Sequence, residues 1–139
     1  MSKYLLIATP FVTWIIIGTL KLFISSFKSR KINLSSVGYG GMPSNHSAIV
    51  SSVSTVLGMK DGFSSSIFLL SLSVAFLVIM DAVDLRRHIG LQSNIINKLY
   101  YSKYKKNKIR ENIGHTLPQV FMGILLGALI ALFIFHNSK

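Results

Sequence analysis

Four apolar stretches alternate with polar and basic ones along the 139 residues. Residues 4–24 stay apolar for about the ~20 residues a helix needs to cross a bilayer. Trp14 falls inside this run as a packing residue, and Lys28, Arg30 and Lys31 end it. The run follows Lys3 as a signal-peptide core would, but no small-residue cleavage site comes after it and further apolar segments do, so a retained first helix is expected. Residues 44–59 read differently. Ser47, Ser51, Ser52, Ser54 and Thr55 sit among Ile and Val, a composition that suits a helix surrounded by helices, where close approach and interhelical hydrogen bonds replace lipid contact. This is the expected central helix.

After Lys60, Asp61 and Gly62 a third run covers residues 63–83, and a fourth covers 117–135. In the fourth, Gly123, Gly127 and Ala131 recur every four residues and offer a flat face either to a neighbouring helix or to a second copy of the chain. Between these runs, residues 93–113 carry Ile95, Ile96, Leu99, Ile109 and Ile113 among six bases together with Tyr100, Tyr101 and Tyr104. Apolar residues at three- and four-residue spacing, ringed by Tyr and Lys, predict a helix lying in the membrane interface. The expected fold is all-α, one membrane-embedded domain over residues 1–139: a bundle of about four transmembrane helices plus an interfacial amphipathic helix.

Composition agrees. Half of the chain is apolar, 14% is charged and the mean hydropathy is +0.53, values of a multi-pass membrane protein rather than of a small soluble domain. Cysteine is absent, which excludes disulfides, thiolate metal sites and a Cys nucleophile. The net charge of +11 comes from fifteen Lys/Arg against four acids, Asp61, Asp81, Asp84 and Glu111. Eleven of those bases fall in two loops, three in residues 28–42 and eight in residues 84–114. Basic residues beside membrane spans answer to lipid charge, so membrane lipids and an anionic lipid substrate are the expected partners, and nucleic acid is not. The positive-inside rule places both loops in the cytoplasm, on the inner face of a cell membrane.

The unusual polar residues gather at that same face. His46 starts the second helix, residues 81–88 end the third and His115 starts the fourth. Ser44 is a good N-cap, and Pro118 is tolerated in a first turn that needs no backbone donor. Each helix start then offers free N–H groups and a positive dipole end beside a histidine, which suits a phosphate, while Arg86 and Arg87 can add bidentate contacts. Two histidines around one phosphate allow a division of labour without a metal or other cofactor. One forms a phosphohistidine; the other protonates the leaving alkoxide and later activates water. Asp81 near the end of an apolar span calls for a partner such as Arg86 or Arg87, and orients the site in doing so. Asp81, Asp84 and His88 share spacing that could hold a divalent ion, but the Arg pair beside them opposes a cation.

Three ordered blocks carry a resemblance. Residues 40–48, "GGMPSNHSA", look like Gly-Gly-Met-Pro-Ser-Ser-His-Ser-Ala; residues 81–92, "DAVDLRRHIGLQ", like Asp-Ala-x-Gly-Val-Arg-Arg-x-x-Gly-x-Gln; and residues 114–123, "GHTLPQVFMG", like Gly-His-Thr-Pro-x-Glu-Val. With them the chain resembles, over about residues 21–129, the divergent branch of the type 2 phosphatidic acid phosphatase (PAP2) superfamily, which also takes in lipid phosphate phosphatases and vanadium haloperoxidase relatives. The resemblance implies a lipid phosphatase acting on a phosphomonoester or pyrophosphate of a polyprenyl or glycerolipid. It makes His115 the nucleophile and His46 the acid/base, with Ser44, Arg86, Arg87 and a base near the end of the first helix as phosphate ligands. Lys21 is the first candidate for that base, with Lys28 and Arg30 behind it, and Asn45 and Gly114, beside the two histidines, complete the phosphate-binding set.

The chain also departs from the pattern. Gln119 stands where the family has an acid that holds the reactive histidine tautomer, and an amide carbonyl supports a developing imidazolium less well than a carboxylate. Glu111, four residues before His115, can substitute only if the loop folds back; Asp84 replaces a Gly, Leu117-Pro118 inverts the usual order, and the Arg-Pro pair is missing. Gln119 therefore supports a second reading, a catalytically weak or silent membrane protein that binds anionic lipid or assists a partner enzyme.

Overall fold

The computed structural model describes residues 3–29, 41–101, 109–111 and 113–138. Arg30, Lys31, Gly40, Tyr104 and the rest of residues 102–108 lie outside the described residues, as do the side chains of Lys28 and Tyr101. Among the described residues every regular element is helical. They are α1 (Lys3–Ser29), α2 (Asn45–Asp61), α3 (Ser66–Met80), α4 (Arg86–Ile96) and α5 (Leu117–Asn137), with π-helical turns at Asp81–Leu85 and Asn97–Tyr101. Three helical runs are long and apolar enough to cross a membrane: Leu6–Phe27, Ser66–Tyr100 and Leu117–Asn137.

The second helix is the exception that organises the rest. At 17 residues, α2 is shorter than a typical span and rich in hydroxyl groups, and it packs against α1, α3 and α5 at once. Its hydroxyls bond its neighbours. Thr13 donates to Ser52 Oγ at 3.0 Å, Ser52 passes a bond to the Ile49 carbonyl at 2.8 Å, and Ser51 donates to the Ile124 carbonyl on α5 at 2.8 Å. Gly123 and Gly127 let α5 approach closely: a Cβ at Gly123 would meet the Ser44 carbonyl and Ser47, and one at Gly127 the Ala48 carbonyl. The small-residue face of the fourth run thus packs inside the chain, against the most polar helix. On α1, Thr9, Thr13, Ile17 and Lys21 form a buried stripe at four-residue spacing. Trp14 is 52% exposed and faces outward, contrary to the packing role its position suggested, because that stripe occupies the inner face of α1.

The third run holds a larger difference. Among the described residues no separate interfacial helix begins near residue 93; α3 continues through the first π turn into α4, a 35-residue rod. Nothing between Val83 and Ile96 breaks a helix, and the π turn absorbs the change of register instead of ending it. At 1.5 Å per residue the rod is roughly 50 Å long, against a hydrocarbon core of about 30 Å, so α4 reaches well beyond α3 along the bundle axis. Ile109 to Glu111 and Ile113 are not helical; they run back along α4 toward the start of α5.

Candidate active site

Two helix starts meet at one end of the bundle. Ser44 caps α2: its Oγ accepts from the Ser47 N–H at 3.4 Å and from the Ser47 hydroxyl at 3.0 Å. Its own N–H donates to the Gln119 backbone carbonyl at 3.1 Å, which ties the α2 cap to the first turn of α5. Gly41, at φ 77°, leaves room for the side chain of Lys21, whose Cε would lie 3.4 Å from a Cβ at that position. Lys21 is 3% exposed and ends the buried stripe of α1. Asn45 is buried in the first turn of α2.

At the α5 start, Thr116 is the N-cap and Pro118 lies in the first turn. The Gln119 Oε1 accepts from the Thr116 N–H at 3.1 Å and lies 3.2 Å from His115 Nδ1. This pair of contacts fixes a tautomer. A backbone N–H only donates, so the Gln119 atom facing it is the carbonyl oxygen, and the imidazole nitrogen sharing that oxygen must carry a proton. His115 is therefore the Nδ1–H tautomer, with Nε2 bearing the free lone pair.

The main chain of His115 is held as firmly. In a regular α-helix Arg86 N–H would pair with the Ala82 carbonyl; in the π turn it pairs with Asp81 instead, and the Ala82 carbonyl accepts from the His115 N–H at 3.0 Å. Gly114, at φ 108°, lies flat on the rod, where a Cβ would come within 2.9 Å of Arg87 N. The Arg87 side chain is exposed, so it is the Arg87 backbone that builds this corner.

The His46 and His115 rings stand 6.2 Å apart, centroid to centroid, at 57°. Arg86 Nε donates to Asp81 Oδ2 at 2.7 Å, and this pair, with Lys21, lies close enough to act on the His46 charge. Burial pushes the His115 pKa below the ordinary value; the Gln119 hydrogen bond opposes this, and the charges of Lys21, His46 and Arg86 add to it. His115 is thus a neutral imidazole at neutral pH. His46 Nδ1 is buried and has no hydrogen-bond partner among the described residues.

Of the residues singled out in the sequence, His46, His115, Gln119, Lys21, Asp81 and Arg86 come together, Ser44 and Gly114 shape the backbone around them, and Asn45 lies alongside. Asp84 pairs with His88 at 3.3 Å on the exposed side, so these two and Asp81 do not converge on one point. The Glu111 carboxylate does not turn to His115; Asn94 and Asn97 take it, at 3.1 and 2.9 Å. Sequence reasoning missed Arg110, an exposed residue whose charge acts on the buried Lys21. Its position five residues before His115, on the same loop, was the available signal.

A family model described as the divergent PAP2 family matches residues 2–130 and so encloses every one of these groups. The chain belongs to the divergent PAP2 family. A relative within reach of this divergent PAP2 chain, "Uncharacterized membrane protein YuiD" of Bacillus subtilis (strain 168), is 37% identical over 130 residues, covering 81% of this chain and 82% of the relative. That relative is a membrane protein by its name, as the apolar runs make this one. No solved structure matches this divergent PAP2 sequence.

Proposed function

We propose that the protein is a metal-independent lipid phosphate phosphatase that works through a phosphohistidine on His115. The supporting observation is the pair of imidazoles 6.2 Å apart, one with its proton fixed on Nδ1 and its Nε2 open. In the first step the Nε2 lone pair attacks phosphorus, the bond from phosphorus to the leaving oxygen breaks (the lipid oxygen of a monoester, the bridging oxygen of a pyrophosphate), and protonated His46 gives its proton to that oxygen. In the second, His46 takes a proton from water as the water oxygen displaces His115 from phosphorus, releasing inorganic phosphate. Lys21, Arg86 and Arg110 offset the charge on the non-bridging oxygens, and Asp81 holds the Arg86 guanidinium. The substrate is a polyprenyl or glycerolipid phosphate or pyrophosphate whose chain stays in the bilayer while its headgroup meets the helix starts. The bases of the two long loops support a cytoplasmic position for this site.

Gln119 favours a second reading, a protein that binds the anionic headgroup and turns it over weakly or not at all, because a neutral amide supports an imidazolium poorly. Phosphate release from a panel of lipid phosphates by purified protein, with His115→Ala and Gln119→Glu alongside, separates the two. Turnover lost in His115→Ala and raised in Gln119→Glu supports the phosphatase. Lipid binding with no turnover in the wild type and Gln119→Glu supports the binder, and an active His115→Ala removes the phosphohistidine.

A further inference from the structure

The segment that carries His115 is fastened to the rod at several points. Asn97, 6% exposed, sits where α4 passes into the second π turn. Its Oδ1 accepts from the Ile109 N–H at 2.8 Å, and its Nδ2 donates to the Ile109 carbonyl at 2.6 Å and to Glu111 Oε1 at 2.9 Å. The backbone donor at Ile109 leaves only one orientation for the Asn97 amide. Asn94 donates to the other Glu111 oxygen at 3.1 Å, so both carboxylate oxygens are engaged.

Further down the rod, Gly90 has no side chain because the loop lies on it; a Cβ there would sit 2.5 Å from the Glu111 carbonyl and 3.1 Å from that of Ile113. Gly114 then rests on the Arg87 backbone, and the His115 N–H reaches the Ala82 carbonyl. The anchors on the rod are Asn97, Asn94, Gly90, Arg87 and Ala82. Their spacings of three, four and three residues follow one α-helical face, and the step of five from Arg87 to Ala82 crosses the π turn, whose extra residue keeps Ala82 on that face. The far end of this zipper is buried polar chemistry that no step of the reaction uses.

We propose that Asn97, with Glu111 and Asn94, is a positioning clasp: it sets where residues 109–111 and 113–115 lie along the rod, and so places His115 over the anion pocket. The inference rests on the phosphatase reading for its kinetic consequence but not for its geometric one. Displacing a reacting group by about 1 Å costs on the order of 100-fold in rate, so the clasp acts on turnover through His115 although it never touches substrate.

The test uses the full chain in lipid nanodiscs, comparing wild type, Asn97→Ala, Glu111→Gln and, as a control on the exposed side of α4, Gln92→Ala. Two readouts are taken: kcat and KM on a lipid phosphate, and the ring 15N signals of His115 with and without inorganic phosphate. Asn97→Ala should lose ~10–100-fold in kcat with little change in KM, and its His115 ring should drift from the pure Nδ1–H signal toward mixed tautomers. Glu111→Gln, which keeps the Asn97 bonds to Ile109 and removes one acceptor, should show a smaller loss of the same kind, and Gln92→Ala none. Should Asn97→Ala fail to fold, Glu111→Gln decides. If the variants are less thermostable yet keep the wild-type kcat and His115 signals, the clasp is only a strap and the proposal falls. If no protein turns over any lipid phosphate but the clasp variants still shift the His115 tautomer and weaken its response to phosphate, the phosphatase reading fails and the clasp stands.

Discussion

The two histidines begin from the same local plan and end in opposite states. Each lies beside a hydroxyl N-cap, Ser44 for His46 and Thr116 for His115. His115 is held at its backbone N–H by Ala82 and at Nδ1 by Gln119, while His46 Nδ1 is buried with no hydrogen-bond partner among the described residues. The difference fits two tasks. A nucleophile gains from a fixed lone pair, whereas a group that gives up one proton and then takes another gains from a ring whose protonation nothing locks.

The largest effects should come from deleting each ring in turn. His115→Ala should abolish phosphate release, a loss of ~10⁴-fold or more. His46→Ala should cost ~10²–10⁴-fold on an alkyl phosphate and far less on an aryl phosphate, whose leaving group departs without a proton. Measuring kcat/KM for both esters checks this; equal losses on the two esters would erase the distinction between the rings. A smaller effect is expected at the backbone that aims His115. Gly114→Ala adds a Cβ at φ 108° within 2.9 Å of Arg87 N, costing ~1–3 kcal/mol, read as a lower melting temperature together with a lower kcat.

The smallest effect is a displacement of the pH profile. Burial is the main reason the His115 pKa lies below the ordinary value of 6.5. On the proposed mechanism the nucleophile must be neutral, so the acid limb of the profile falls as pH drops through that lowered pKa, while the need for a protonated His46 sets a separate alkaline limb. Glu in place of Gln119 favours the imidazolium, raises the pKa and moves this acid limb to higher pH. A limb that stays put in Gln119→Glu would show that His115 does not set it.

Much of this arrangement was legible along the chain because it rests on local signals. The apolar runs of α1, α3 and α5 announce themselves by length, the hydroxyl-rich run of α2 by composition, and His46, Asp81, Arg86 and His115 by their place at helix ends, whereas Lys21 and Gln119 came forward only through the family resemblance. What stayed hidden depends on contacts across the chain. A π turn has no sequence period of its own, so the continuity of α3 with α4 and the release of the Ala82 carbonyl were not readable from residues 81–86. Glu111 looked like a spare acid for His115 because the fourteen and seventeen residues separating it from Asn97 and Asn94 conceal their hydrogen bonds. Trp14 read as core because its run was apolar on all sides, and only the buried Thr9, Thr13, Ile17 and Lys21 stripe shows which side faces in.

The polarity of α2 also bears on biogenesis. A helix of 17 residues carrying this many hydroxyls gains little by entering lipid alone, and the neighbour that covers it most closely, α5, is translated after α1, α2, α3 and α4. The pocket therefore comes into being only once residues 117–137 have been made, and a nascent protein arrested before residue 117 holds its second helix without its main partner.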